Sequence, residues 1–161
     1  MHTPRWASLV AVALVILPAL AAADEIVKPL TVELRSFSFK APNGKEDLLK
    51  HDEGQGKLSF YINGKGEAKI DVPKGGDYEI IIEASCDRAL KDGAKFKLAV
   101  DGKQCGKETE TSDGEPKEYT FATSLRAGEH KLSIEFTNDV FKEGEYDRNL
   151  YVHAVKLKQA K

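Results

Sequence analysis

The chain has 161 residues, of which 41% are hydrophobic and 31% charged, and its formal net charge is −2. That length suffices for a buried core, and a charge so near zero excludes nucleic-acid binding that relies on a basic face.

The N-terminus changes what the composition means. Arg5 precedes an apolar run over 7–17 broken only by Ser8, then Pro18, Ala19, Leu20, Ala21, Ala22, Ala23 and the acidic pair Asp24-Glu25. A basic start, a short apolar stretch and an A-x-A end predict a secretory signal peptide over 1–23, cut after Ala23. The run is short for a membrane span, which needs about 20 residues, so no transmembrane segment is expected in the mature chain. The protein is expected to be exported to the periplasm, the cell surface or the extracellular space. The sole Trp, Trp6, leaves with the leader, which excludes a binding mechanism resting on an indole platform.

After the leader, short alternating runs are separated by Gly, Asp, Asn and Pro. Over 31–39, Val32 and Leu34 alternate with Glu33 and Arg35, and then Phe37 and Phe39 take the other phase; that change predicts a bulge or twist. The polar segment 43–56 is expected to be a loop, with a helical turn over 46–51. Runs at 58–62 and 66–72 flank Asn63-Gly64, a hairpin signal. Tyr78, Ile80, Ile82 and Ala84 alternate toward a core, as do Phe96, Leu98 and Val100. Asp101-Gly102 then turns the chain into a strand around Cys105. Further strands are expected at Tyr119–Phe121, at Leu132, Ile134 and Phe136, and from Leu150 to Leu157, where the apolar phase slips again. About nine short strands with turn residues between them make 24–161 a single all-β domain, an antiparallel β-sandwich.

Cys86 and Cys105 are the only cysteines. An even count behind a signal peptide favours a Cys86–Cys105 disulfide; the alternative is two buried free thiols.

Enzyme motifs are missing. The sequence has no G-x-S-x-G, H-E-x-x-H, C-x-x-C or P-loop, and His51, His130 and His153 are far apart. A non-catalytic protein is expected. The segment 136–152, FTNDVFKEGEYDRNLYV, joins two expected strands and carries Asn138, Asp139, Glu143, Glu145, Asp147 and Asn149. Carboxylates and amides at that density suit Ca²⁺, which takes oxygens from side chains, carbonyls and water. The absence of neighbouring His and Cys disfavours Zn²⁺ and Cu²⁺. By composition alone the same acids also describe a solvated connection.

F-T-N-D at 136–139 followed by D-R-N-L-Y-V at 147–152 resembles the signature of the Ca²⁺-dependent xylan-binding modules, carbohydrate-binding module family 60, which are related to family 36 and are similar to segments of planctomycete-type secreted proteins. L-A-V-D-G at 98–102 and G-E-H-K-L at 128–132 resemble the same family. The likeness runs from about Gly76 to Leu157. It implies a jelly-roll sandwich holding Ca²⁺ in loops at one end, where vicinal sugar hydroxyls complete the coordination. Asp139 and Asp147 match the acidic positions of the motif, with Asn138 and Asn149 as ligands or anchors. Arg148 pairs with a carboxylate or orients the loop and counts among the candidate ligand contacts. Tyr146 and Phe141 are the loop aromatics able to meet a sugar face. The implied function is a secreted, non-catalytic polysaccharide-binding module; the alternative is an envelope β-sandwich with a protein partner and a purely structural Ca²⁺.

Overall fold

The computed structural model describes residues 28–160; the expected leader, residues 1–23, lies outside them. The strands are β1 (Leu30–Thr31), β2 (Ser38–Lys40), β3 (Leu49–Asp52), β4 (Lys57–Phe60), β5 (Gly64–Val72), β6 (Gly76–Asp87), β7 (Lys95–Val100), β8 (Lys103–Gln104), β9 (Thr109–Glu110), β10 (Lys117–Leu125), β11 (Gly128–Phe136), β12 (Phe141–Lys142), β13 (Tyr146–Asp147) and β14 (Asn149–Gln159). One sheet runs β10-β6-β14-β4-β3 with β1 added to β14; the other runs β2-β5-β11-β7-β8 with β9 added to β7; β12 and β13 form a separate ribbon. Every ladder is antiparallel. The expected β-sandwich is present, with 14 strands among the described residues rather than about nine. The excess lies in two-residue pieces such as β1, β8, β9, β12 and β13, which are too short for an alternation to be read. Among the described residues no helix is long and apolar enough to cross a membrane.

Alternation explains the core. In β7 the side chains of Phe96, Leu98 and Val100 are buried and those between them half-exposed; in β6, Tyr78, Ile80, Ile82 and Ala84 are buried from the facing sheet. Each such side chain contributes about 1.5–3 kcal/mol by leaving water. Phe96 makes edge contacts with Tyr119 and Phe121 of β10, ring centroids 5.9 and 5.7 Å apart, and so ties the two sheets together. The slip expected in the last strand is a register shift between Val152 and Ala154 against β6. That bulge lets Leu150 and Val152, then Val155 and Leu157, all face inward.

The first quarter of the described chain departs from expectation. The phase change over 31–39 is a crossing: β1 belongs to one sheet and β2 to the other, with a 3₁₀ turn at Leu34–Ser36 between them. The polar segment 43–56 contains two 3₁₀ turns and strand β3, which pairs with β4. Asn63-Gly64 does not close a hairpin, because β4 and β5 lie in different sheets. Gly64 is required there by close approach: a Cβ would sit 2.4 Å from Leu49 Cδ1 and 3.0 Å from the Lys40 carbonyl oxygen.

Cys86 and Cys105 are separate buried thiols, not the expected disulfide. Gly106 packs on Phe121, and Phe121 faces Ile80 across the β6–β10 ladder. Cys86 lies further along β6, about 20 Å from Ile80 at the rise of a strand, whereas bridged Cα atoms are within about 7 Å. Its sulfur instead sits against the carbonyls of Thr111 and Ser112.

Candidate functional site

Between β11 and β14 the chain folds back on itself as the β12–β13 hairpin. Its tip is Glu143-Gly144-Glu145, where Gly144 takes φ 72°, the αL position of a three-residue hairpin loop. The Glu145 N–H donates to the Lys142 carbonyl at 3.0 Å, and the Lys142 ammonium pairs with the Glu145 carboxylate at 2.5 Å. Phe141 is opposite Asp147 and Lys142 opposite Tyr146; the Arg148 N–H donates to the Val140 carbonyl at 3.0 Å and carries the ladder one step further. Side chains alternate across such a ladder and directly opposed residues share a face. Asp139, Phe141, Asp147 and Asn149 therefore lie on one face; Val140, Lys142, Tyr146 and Arg148 lie on the other. The Asn149 amide donating to Asp147 Oδ2 at 3.1 Å fits that register.

The second face anchors the hairpin. Arg148 is 5% exposed, and its guanidinium donates to three carbonyls: Asp92 at 3.3 Å, Asn138 at 2.6 Å and Ala89 at 2.5 Å. It thereby latches the turn after β6 onto the loop after β11. Asn138 does similar work: its Oδ1 accepts from the Lys95 N–H at 2.6 Å and its Nδ2 donates to the Gly93 carbonyl at 3.0 Å. Both of its polar side-chain atoms are thus committed to the backbone that leads into β7. On the far side, Asn63 Oδ1 accepts from the Asp139 N–H at 2.7 Å, so Asn63 of the supposed hairpin turn is instead an anchor for the site.

The first face has the opposite character. Among the described residues, the buried side-chain polar atoms without a hydrogen-bond partner include Asp139 Oδ1, Asp147 Oδ1 and Asn149 Oδ1; the other is Ser59 Oγ in β4. Such groups cost about 1–3 kcal/mol each, and three from one hairpin face ask for a common partner. Burial, then the neighbouring Asp147 charge, push the Asp139 carboxyl above its ordinary range, while Arg148 and the Val140 amide partly offset this. Two crowded carboxylates and an amide oxygen are a hard-oxygen set that suits Ca²⁺. Among the described residues no three His, Cys, Asp or Glu side chains gather as a metal cage; the set here is two acids and an amide.

The two expected aromatic contacts separate. Phe141 is 66% exposed and shares the face of Asp147. Tyr146 is half-buried on the opposite face. Two residues escaped sequence reading: Asp87, whose Oδ2 accepts from Asn149 Nδ2 at 3.0 Å, and Tyr151, whose hydroxyl donates to the same oxygen at 2.6 Å. Burial and then the Asp87 carboxylate hold the Tyr151 phenol above its ordinary range, so it stays a donor. Asp87 ends β6 and faces Asn149 across the ladder, a contact that exists only once β6 and β14 pair.

The family model of the Ca-dependent, xylan-binding carbohydrate-binding modules, CBM60, matches residues 79–161, a stretch that holds Asp87 and the whole hairpin. No curated protein matches the sequence. Among solved structures, a family 36 module of a xylanase from the hindgut metagenome of Trinervitermes trinervoides is 14% identical, with a TM-score of 0.63, over 83% of this chain and 99% of that one. A family 35 module from Clostridium thermocellum is 12% identical with a TM-score of 0.57, over 83% and 99%. A family 36 module solved with calcium and xylotriose is 13% identical with a TM-score of 0.55, over 80% and 98%. At these identities the likeness concerns the fold.

Proposed function

The chain belongs to the family of Ca-dependent, xylan-binding carbohydrate-binding modules, and from that membership we propose that it binds a xylan-like polysaccharide through a Ca²⁺ held by Asp139, Asp147 and Asn149. Modules of this kind are non-catalytic. The observation that carries the reading is the set of three buried, unpartnered oxygens on one hairpin face. Ca²⁺ bound there supplies coordination positions that two vicinal sugar hydroxyls can take from water. Three side-chain oxygens fill only part of the roughly six to eight positions that Ca²⁺ uses. Asp139 and Asp147 supply the negative charge. Arg148 and Asn138 tie together the loops that carry the site, and Phe141, exposed opposite Asp147, offers an apolar face to a sugar ring. Export after removal of residues 1–23 is part of the same proposal.

Calorimetric Ca²⁺ titration of the wild type and of Asp147→Ala tests it. The wild type is expected to bind, and Asp147→Ala to lose more than about tenfold in Ca²⁺ affinity with an unchanged β-sheet spectrum. Equal affinity in the two proteins contradicts the site. Ca²⁺ binding that raises the melting temperature without any glycan binding would favour the alternative, a purely structural ion.

A further inference from the structure

The Asn149 carboxamide has two ends, an oxygen that accepts and a nitrogen that carries two donor hydrogens. A cation site needs the oxygen end. Asn149 Nδ2 donates to Asp87 Oδ2 at 3.0 Å and to Asp147 Oδ2 at 3.1 Å, so both hydrogens are engaged. With the nitrogen fixed between two carboxylates, Oδ1 is turned away from them and is buried and unpartnered, as Asp139 Oδ1 and Asp147 Oδ1 also are. The reversed amide would set Oδ1 against two carboxylate oxygens and aim two N–H donors into the space a cation would fill. Asp147 alone is a weak director, because its carboxylate is itself part of the cation site. Asp87 is not: its Oδ2 takes the Tyr151 hydroxyl at 2.6 Å as well as the amide, and the hydroxyl holds its rotamer from the outer face of the sheet.

We propose that Asp87, steadied by Tyr151, is a positioning residue that orients the Asn149 amide so that its oxygen faces the cation. This rests on the Ca²⁺ reading above and adds to it the residues that decide whether the third oxygen is available. Groups that orient a metal ligand in this way are worth about 10–100-fold in metal affinity.

The test compares Ca²⁺ titrations of the wild type, Asp87→Ala, Asp87→Asn and Tyr151→Phe, with the Asn149 side-chain NH₂ resonances followed in the metal-free proteins. Asp87→Ala should lose about 10–100-fold in Ca²⁺ affinity and release one of the two amide protons from its hydrogen bond. Asp87→Asn keeps an acceptor oxygen and should recover most of that loss; Tyr151→Phe should fall between it and Asp87→Ala. At saturating Ca²⁺ the glycan affinity of Asp87→Ala should match the wild type. The proposal is overturned if Asp87→Ala binds Ca²⁺ as the wild type does. It is also overturned if Asp87→Asn is as weak as Asp87→Ala, since charge and not orientation would then be at work. A wild type that takes up no Ca²⁺ overturns the functional reading itself, an outcome distinct from the other two.

Discussion

At the scale of single residues, one alternation sorts the hairpin into two jobs. Asp139, Asp147 and Asn149 carry the unpartnered oxygens of one face, while Arg148 on the other face is spent on three backbone carbonyls. The same alternation separates the two aromatics. Phe141→Ala is expected to weaken glycan binding by about 1 kcal/mol, roughly fivefold, with Ca²⁺ affinity and melting temperature unchanged, because the ring is 66% exposed. Tyr146→Ala, on the opposite face, is expected to leave glycan affinity unchanged. Parallel glycan titrations of the two variants check this, and equal losses would contradict the assignment of faces. Asp139, Asp147 and Asn149 were readable as candidates because oxygen-bearing side chains crowd 138–149 in the sequence. Asp87 was not, since it is 62 positions from Asn149 and meets it only across a strand ladder.

At the scale of elements, the turns at the other end of the sandwich carry a separate device. His130 at the start of β11 sits with Nδ1 at 2.6 Å from Asp101 Oδ2 and Nε2 at 2.9 Å from the Arg126 carbonyl. Both ring nitrogens meet acceptors, so the doubly protonated imidazolium fits. The hydrogen bond to Asp101, then the Arg126 carbonyl, raise the His130 pKa above its ordinary 6.5, against opposing burial and the Arg126 charge. A raised folded-state pKa stabilises the protein fully below the unfolded value, and that stabilisation is lost as pH rises through the folded value. Melting temperatures of the wild type and His130→Gln from about pH 5 to 9 should differ most at the acid end and converge as pH rises. A constant gap across that range would mean that the ion pair contributes nothing. Asp101 and Gly102, at φ 51° and 79°, form the expected turn between β7 and β8. Elements with strict alternation, such as β7 and β11, were legible for the same reason that they are stable, since every second side chain is core. The chain over 31–64 was not, because its phase change and its Asn-Gly both mark passages between sheets, and a crossing and a bulge leave the same trace in sequence.

At the scale of the whole molecule, two sheets locked by side chains such as Phe96 hold fixed ends from which the β12–β13 ribbon projects. A Ca²⁺ bound as proposed would meet a folded frame and stabilise it by linkage. At a Ca²⁺ concentration about 100-fold above Kd the gain is about 2.7 kcal/mol. The fold owes nothing to a Cys86–Cys105 disulfide, as both thiols are free. The central claim is that Asp139, Asp147 and Asn149 gather an ion through which a polysaccharide is held, and calorimetric titration of the wild type with a xylo-oligosaccharide, with Ca²⁺ in excess and again after EDTA, tests it most directly. Saturable binding that EDTA abolishes and added Ca²⁺ restores is the predicted result. Binding that survives EDTA unchanged would contradict it.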